Sequence, residues 1–391
     1  MLKGKTVLLG VTGGIAAYKA AALASALVKL HACVEVVMTQ NATQFIAPLT
    51  FEQLTGNRTM VDTFDRNFVH QVEHISLAQR TDLVIIAPAT ANVCAKLAHG
   101  LADDMLTTTV LACKCPKLIA PAMNTNMYEN PVTQDNLDLL RKYGWEVITP
   151  ASGRLACGAV GAGKLPEPED LLQYILHRIA LPHDLADKTV LVTAGATQES
   201  LDPVRYLTNH STGKMGCAIA EAAMLRGAKV ILVCGAVSAR IPPFVKVVKA
   251  ISAQEMFEAV AQYAHSADYI FKAAAVADYT PSVVAEQKLK KGDSDMALEL
   301  RRTKDIAATL GANKGKRVLV GFAMETEHEQ QNAVGKLERK NFDFIVLNSL
   351  CTEGAGFRGD TNVVTLIDRE QSQPLPLMSK HEVAEKIVDK I

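Results

Sequence analysis

Two segments of this chain, KTVLLGVTGGIA at 5–16 and KTVLVTAGATQE at 188–199, share one register, and each starts a run of strands alternating with helix-length segments. After the first come the apolar strands VEVVMT at 34–39, DLVIIAPAT at 82–90, KLIAPAM at 117–123 and WEVITP at 145–150. After the second, AKVILVCG at 228–235 takes the place that CVEVVMTQ holds at 33–40. Continuous apolar strands separated by helices dictate a parallel sheet covered on both faces. A pattern that restarts at this scale marks a second domain. The expected fold is α/β: two doubly wound, mainly parallel-sheet Rossmann-like domains in tandem, 1–182 and 183–391, with the boundary near 181–188.

A chain of 391 residues that is 49% hydrophobic has enough apolar material for two cores. Its 41 Lys+Arg balance its 41 Asp+Glu, which gives no support for a nucleic-acid or acidic-membrane partner. No apolar run reaches the roughly 18 residues of a membrane span. The N-terminal apolar stretch is short and ends in glycines, so it reads as a first strand and not a signal peptide. The eight cysteines fall mostly inside apolar segments such as VILVCGA, which is no disulfide framework, and a cytosolic location is expected. Cys113-Lys-Cys115 has the wrong spacing for a zinc knuckle.

In the first domain, GVTGGIAAYK sets Thr12, Gly13 and Gly14 between a strand and a helix N-terminus, a turn suited to a phosphate. The dinucleotide fingerprint is absent, and Thr39 and Asn41 stand where an acid would bind a ribose diol. Hydroxyl and amide groups suit a mononucleotide phosphate or a ribityl chain. A tight turn with no ligand is the plain alternative. APATAN at 87–92, with Thr90 and Asn92, and PAMNTNMY at 121–128, with Asn124, also end strands in polar turns. Three such turns on the carboxyl edge of one sheet predict a cleft there. His74 opens the helix before the third strand, as an ordinary structural histidine or as a base at that edge. RLACGAVGAGK at 154–164 sets Cys157 among glycines, as a plain connection or as a mobile flap carrying a thiol.

In the second domain, TAGATQESLDPVRYLTNHSTGKMG at 193–216 offers a helix N-terminus for a phosphate, with Arg205, Asn209, His210, Ser211 and Thr212 as donors. The spacing is not that of a P-loop, and Lys214 reads best as a solvated helix cap. FKAAAVADY at 271–279 is a buried strand running through Ala273 and other small residues to Asp278, an acid placed to hold a divalent cation beside phosphates. Lys288, Lys290 and Lys291 follow in EQKLKKGDSD, a solvated charge run or an arm that closes over a triphosphate. Phe322 ends another strand, where it can stack on a base, and Lys336 and Lys340 share one helix face.

Together GVTGGIAAYK, the His74 segment, PATAN, PAMNTNMY and the LACG stretch resemble the flavin-containing cysteine decarboxylases. The motifs NHSTGKMG, AAAVADY and KLKK look like those of the phosphopantothenate–cysteine ligases. Their order, over about residues 3–390, is similar to that of the bacterial bifunctional family of coenzyme A synthesis. The resemblance implies that the first domain uses FMN to decarboxylate 4′-phosphopantothenoylcysteine. A cysteinyl carboxylate has no electron sink. Oxidising the thiol to a thioaldehyde supplies one, and the resulting enethiolate must then be reduced by hydride and protonated. By resemblance His74 serves the oxidative decarboxylation, Asn124 contacts the substrate carboxylate and Cys157 donates the proton. Thr12, Gly13, Gly14, Thr39, Thr90 and Asn92 are the expected flavin contacts.

For the second domain the resemblance implies CTP-dependent activation of 4′-phosphopantothenate as an acyl-cytidylate, with Mg²⁺ at Asp278, followed by attack of cysteine's amine. Asn209 takes part in turnover of the acyl-cytidylate and Lys288 in its formation; Arg205 is an expected substrate contact. Ala273, Asp278, Asp305, Ile306, Phe322, Lys336 and Lys340 are the expected nucleotide contacts. Two departures from the family pattern are Tyr128, where many relatives carry Trp, and TKDIA at 303–307, where a proline–aspartate turn is commoner. Family members assemble through trimers of the flavin domain and dimers of the ligase domain, which together give a dodecamer. The rival readings are another cysteine decarboxylase or flavin prenyltransferase relative, and a non-catalytic regulatory flavoprotein.

Overall fold

The computed structural model describes residues 1–64, 73–154, 158, 160–291, 296–325, 327–349 and 359–391. Two compact units divide the chain, Met1–Leu181 and Pro182–Ile391.

The first unit opens with β1 (Thr6–Val11), α1 (Ala17–Lys29), β2 (Cys33–Met38) and α2 (Pro48–Thr55). Then come α3 (Glu73–Arg80), β3 (Leu83–Ala89), α4 (Ala91–His99), α5 (Met105–Ala112) and β4 (Lys117–Pro121). It closes with α6 (Thr125–Glu129), α7 (Pro131–Lys142), β5 (Glu146–Val147), the hairpin β6 (Ala151–Arg154) and β7 (Val160–Lys164), and α8 (Pro168–Ile179). The sheet order is β2-β1-β3-β4-β5, and every pair is parallel. All seven residues of β3 are buried, because helices cover both faces of a parallel sheet and leave no solvent side for polar alternation. In α1 the buried Ala17, Ala20, Leu23, Ala24 and Leu27 recur at the three- and four-residue spacing of one helix face. Lys19 is buried with them, against that pattern.

The second unit begins with β8 (Thr189–Ala194), the short pair β9 (Gln198–Ser200) and β10 (Tyr206–Thr208), and α9 (Lys214–Leu225). It continues through β11 (Lys229–Cys234), β12 (Lys246–Lys249), α10 (Ala253–Ala264), β13 (Tyr269–Lys272), β14 (Tyr279–Pro281) and β15 (Leu300–Arg302). Next are α11 (Ile306–Ala312), β16 (Val318–Glu325), α12 (Glu329–Arg339) and β17 (Phe344–Ser349). The unit ends with β18 (Thr361–Asn362), β19 (Val364–Asp368), β20 (Ser372–Pro374), β21 (Met378–Ser379) and α13 (Lys380–Asp389). Its main sheet runs β12-β11-β8-β13-β16-β17-β19-β20, parallel from β12 to β17 and antiparallel at β19 and β20. Gly321 in β16 leaves room for Phe342, whose ring atoms lie 2.4–2.7 Å from where a Cβ would stand. Burying that phenyl ring contributes roughly 1.5–3 kcal/mol.

In each sheet the strand order reverses beside the first strand, between β1 and β3 and between β8 and β13. The crevice outside the carboxyl ends of the strands at such a reversal is where open α/β sheets receive ligands. No helix among the described residues is long and apolar enough to cross a membrane.

Candidate functional sites

A cavity of ≈ 640 Å³ opens at the reversal point of the first sheet. The turn after β1 contributes Gly13, Gly14 and Ile15, the start of α1 contributes Tyr18 and Lys19, and the end of β3 with the start of α4 contributes Pro88, Thr90 and Ala91. Asn124 and Met127 come from α6 and its cap, and Arg154, Gly163 and Lys164 from the hairpin. Gly13 is required by close approach, since a Cβ there would sit 2.6 Å from that of Asn41. Thr12 is fully buried and does not line the cavity. Its hydroxyl donates to the Pro88 carbonyl at 2.7 Å and accepts from the Thr90 amide at 3.0 Å, which ties the two turns together. Thr90 caps α4, its hydroxyl accepting from Val93 N at 3.4 Å. Asn124 caps α6 in the same way, accepting from Asn126 N at 2.9 Å.

Thr39 stands at the start of the short helical turn Gln40–Gln44 without a side-chain capping bond, and Asn92 is exposed on α4; neither lines the cavity. His74 is the second residue of α3 and half-buried, also outside the cavity wall. Cys157 lies outside the described residues. The glycines around it have a more definite task than loop flexibility. Gly161 and Gly163 belong to β7, where Gly161 packs on Thr125, and Gly163, at φ +118°, would place a Cβ 2.3 Å from Met123 O. The Met123 amide donates to Gly163 O at 3.0 Å, so the hairpin lies flat on the Asn124 turn.

Lys19 is the residue that the periodicity of α1 should have flagged. Its ammonium donates to Leu165 O at 3.1 Å and to Glu167 Oε1 at 2.8 Å, which anchors the chain leaving the hairpin. The Glu167 carboxyl is held below the ordinary glutamate value by Lys19, with Lys164 adding to the effect. Apolar walls from Ile15, Pro88, Met123 and Met127, with Lys19, Arg154 and Lys164 also among the lining, fit a flat heteroaromatic ring and an anionic tail.

In the second unit two cavities meet. One, of ≈ 290 Å³, is walled by Ser211–Gly216 at the start of α9, Ala273–Val276, Asp278, Phe322, Lys336, Asn348, Asn362 and Lys380. The other, of ≈ 570 Å³, is walled by Lys272, Ala277, Arg302–Ala307, Arg339, Lys340 and Phe342. Ala274, Val276, Asp278, Phe322 and Lys336 line both. The expected contacts Ala273, Asp278, Asp305, Ile306, Phe322, Lys336 and Lys340 are thus gathered on the walls of two adjoining cavities. Ile306 also packs into the core and is only 4% exposed.

Asp305 caps α11, accepting from Ala308 N at 2.8 Å, and pairs with Lys340. Burial works to raise its carboxyl, but the Lys340 hydrogen bond and the Ala308 amide hold it below the ordinary value. Lys336 donates to Phe322 O at 2.9 Å. Lys272, at the end of β13, had no sequence signal beyond a lysine closing an apolar strand. Burial pushes its ammonium down to about 8, opposed by Asp305 and assisted by Lys336.

Asn209, Lys288 and Arg205, like His210, Lys290 and Lys291, lie off the walls of these cavities. Asn209 is exposed and donates through Nδ2 to Ala275 O at 3.2 Å. Lys288 is exposed on the segment that follows β14. Arg205 is committed to protein partners: Nη2 reaches Asp202 Oδ2 at 2.6 Å and Leu289 O at 2.8 Å. Lys214 differs from the expected solvated cap. It is the first residue of α9, lines the smaller cavity and pairs with Asp360 at 2.6 Å. The described part of the lysine-rich segment, residues 286–291, follows β14, which pairs antiparallel with β15. Among the described residues no group of three or more His, Cys, Asp or Glu could hold a metal by itself. Asp278 as a single carboxylate fits a Mg²⁺ ion coordinated mainly by substrate phosphates and water.

Residues 1–180 match the Flavoprotein family, and residues 185–391 match the DNA/pantothenate metabolism flavoprotein C-terminal domain family. Over 395 aligned residues the chain is 47% identical to the coenzyme A biosynthesis bifunctional protein CoaBC of Bacillus subtilis (strain 168), covering 100% of this chain and 97% of that protein. It is 43% identical over 353 residues to a cysteine/cysteine sulfinic acid decarboxylase of an unknown prokaryotic organism, covering 88% of this chain and 98% of that protein. Among solved structures, the C-terminal domain of a coenzyme A biosynthesis bifunctional protein CoaBC is 42% identical, with a TM-score of 0.45, over 53% of this chain and 94% of that one.

Proposed function

The chain belongs to the family of coenzyme A biosynthesis bifunctional proteins, a decarboxylase and a ligase in one polypeptide, and from that premise we propose how its two units divide the work. The carrying observation is that each unit has its own cavity at its own sheet reversal, and that the two differ in chemistry. The second unit condenses 4′-phosphopantothenate with cysteine at the expense of CTP, through an acyl-cytidylate. The first decarboxylates the 4′-phosphopantothenoylcysteine so formed.

In the second unit the base lies in the larger space, where Phe322 walls it, and the phosphates lie toward the start of α9. The carboxylate of 4′-phosphopantothenate attacks the α-phosphorus, and the bond to pyrophosphate breaks. Lys336 and Asp278, which line both spaces, stand at that junction, Asp278 through Mg²⁺. Cysteine's amine then attacks the acyl carbon and CMP leaves. Lys288, on the arm pinned through Leu289, closes over the triphosphate from outside.

In the first unit the turns after β1 and β3 would hold a flavin, as FMN, which would supply two-electron oxidation of the substrate thiol and the later return of hydride. Asn124 orients the substrate carboxylate so that its departing electron pair enters the new C=S bond. Cys157 gives the proton that completes the aminothiol, and His74 assists the first oxidation. Exposed Ile15, Tyr18, Phe45 and Leu49 around the turn suit burial against another copy, which supports a homo-oligomer.

A yellow protein that releases FMN, and that also releases pyrophosphate from CTP once 4′-phosphopantothenate is present, with CMP release and continued turnover only when cysteine is added, is the expected result. The 43% identical decarboxylase supports a second reading, a flavoprotein acting on cysteine itself. Carbon dioxide released from free cysteine, with no CTP-dependent pyrophosphate, would select it. A Cys157→Ser chain should still release carbon dioxide but stall before the aminothiol.

A further inference from the structure

Glu35 is a carboxylate inside an otherwise apolar strand. β2 reads CVEVVM, and Glu35 stands in register with Leu8 of β1. Its side chain is only 9% exposed. Residues two apart on a strand share a face, so Glu35 lies on the same side of the sheet as Val37. Val37 belongs to the core cluster that contains Leu77 and Ala78, the two buried residues of α3. A buried carboxylate costs free energy unless it is paired and hydrogen-bonded, so its partner carries the explanation.

That partner is Arg80, the last residue of α3. Nε reaches Glu35 Oε1 at 3.1 Å, and Nη2 reaches the same oxygen at 2.9 Å. The guanidinium then turns back along its own helix. Nη1 donates to Ser76 Oγ at 2.9 Å, and Nη2 lies 3.7 Å from Glu73 Oε1. Glu73, Ser76 and Arg80 recur at spacings of three and four, on one stripe of the helix. Leu77 and Ala78, the residues turned to the core, share the neighbouring stripe with His74.

Only two of the eight residues of α3 are buried, so packing alone sets its rotation weakly. Arg80 fixes that rotation by joining the first turn, the last turn and β2 through one rigid planar group. A helix leading into the parallel strand β3 runs back against the strands. Glu73 and His74 therefore lie toward the carboxyl edge of the sheet, and Arg80 toward the amino edge. Turning the helix by one residue position, about 100°, would carry His74 onto another face. His74 does not line the cavity, which makes its reach depend on how α3 is turned.

We propose that the Glu35–Arg80 pair is a positioning device for His74, setting the rotation of α3 so that the imidazole meets the substrate during its oxidation. This rests on the reading of His74 above. Neither Glu35 nor Arg80 lines the cavity, so both act through the helix.

The test is a double-mutant cycle on the full chain loaded with FMN, following stopped-flow reduction of the flavin by 4′-phosphopantothenoylcysteine. Glu35→Gln should lower the limiting rate at least about tenfold, the scale of a misplaced reacting group, with FMN content and half-saturating substrate concentration unchanged. His74→Asn sets the reference. The double variant should be no slower than His74→Asn alone, because two changes acting through one group do not add. Independently of turnover, amide hydrogen exchange over residues 73–80 should quicken in Glu35→Gln and not in His74→Asn. Should Glu35→Gln fail to fold, Glu35→Leu combined with Arg80→Met removes the pair without leaving a buried charge, and the same slowing is expected of it. A wild-type limiting rate or unchanged exchange, in whichever of these folds, would overturn the proposal. So would losses that multiply in the double variant, or a loss of FMN in place of a loss of rate, since both describe a merely structural pair. If substrate does not reduce the wild-type flavin, or His74→Asn is as fast as wild type, the reading of His74 fails first, and this proposal with it.

Discussion

Arg205 clasps the Asp202 carboxylate with Nε at 3.0 Å and Nη2 at 2.6 Å, and the two residues grip Leu289 from both sides. Arg205 donates to Leu289 O at 2.8 Å, and Asp202 accepts from Leu289 N at 3.1 Å. Leu289 lies between Lys288 and Lys290, so the lysine arm is pinned at its middle to the loop after β9. Arg205 is therefore placed to hold the lysine-bearing segment in position.

Asp202→Asn should loosen the arm, lowering the ligase rate at least about tenfold by loss of a charge-assisted clasp, while decarboxylation of supplied 4′-phosphopantothenoylcysteine stays unchanged. The Arg205 guanidinium, then the amides of Val204, Arg205 and Leu289, hold the Asp202 carboxyl well below the usual range. A depressed carboxyl binds fewer protons folded than unfolded. Its contribution is complete above the unfolded value near about 4 and is lost as pH falls through the folded one. Urea midpoints measured downward from pH 5 should fall more steeply for wild type than for Asp202→Asn. Parallel curves would show that the clasp contributes nothing to folding.

Lys272 behaves oppositely. With its ammonium pushed down to about 8 by burial, the folded chain binds fewer protons than the unfolded one up to the ordinary lysine value of about 10.4. Stability attributable to this group therefore rises between about pH 8 and pH 10.4. Lys272→Met removes that rise and relieves a buried charge, so it should be no less stable at pH 7. The measurement is the urea midpoint against pH for both chains, and equal slopes would mean that Lys272 is solvated in solution.

Gly163→Ala tests how closely the hairpin is laid on the Asn124 turn. The backbone there has φ +118°, and a Cβ would stand 2.3 Å from Met123 O. Strain of this kind costs about 1–3 kcal/mol, and the collision adds to it. Decarboxylation should fall sharply while CTP-dependent pyrophosphate release persists, with a lowered first thermal transition. A chain with wild-type decarboxylation would show that the hairpin need not lie where Gly163 puts it.

The repeated KTVL segments announced both sheets because buried parallel strands carry an uninterrupted apolar signal. Their strand orders were not legible, since order depends on crossovers that leave no local pattern. Asp278, Phe322, Lys336 and Lys340 were expected together because the motifs around them resemble those of one family, and the structure gathers them on the walls of two adjoining cavities. Asp202 escaped notice, since its partner Leu289 is 87 residues away, and Lys380 escaped because it opens a helix near the far end of the chain. Glycines 161 and 163 suggested looseness, but in β7 they serve close packing. A missing side chain looks the same in sequence whether it frees a backbone or lets another approach.

Asn209→Asp asks whether the two units work separately. The Asn209 amide donates to Ala275 O at 3.2 Å, which ties the loop after β10 to the small-residue turn that walls the smaller cavity. An ionised aspartate cannot donate, and its charge would face the Ala275 carbonyl. The loop should withdraw, and amide formation should drop at least about tenfold, the scale of one lost hydrogen bond with a repulsive replacement. Gly13, Thr90 and Asn124 line the cavity of the other unit. Carbon dioxide release from supplied 4′-phosphopantothenoylcysteine should therefore match wild type. Measured on one preparation, intact decarboxylation beside failed ligation confirms the division of labour, whereas a parallel fall in both would refute it.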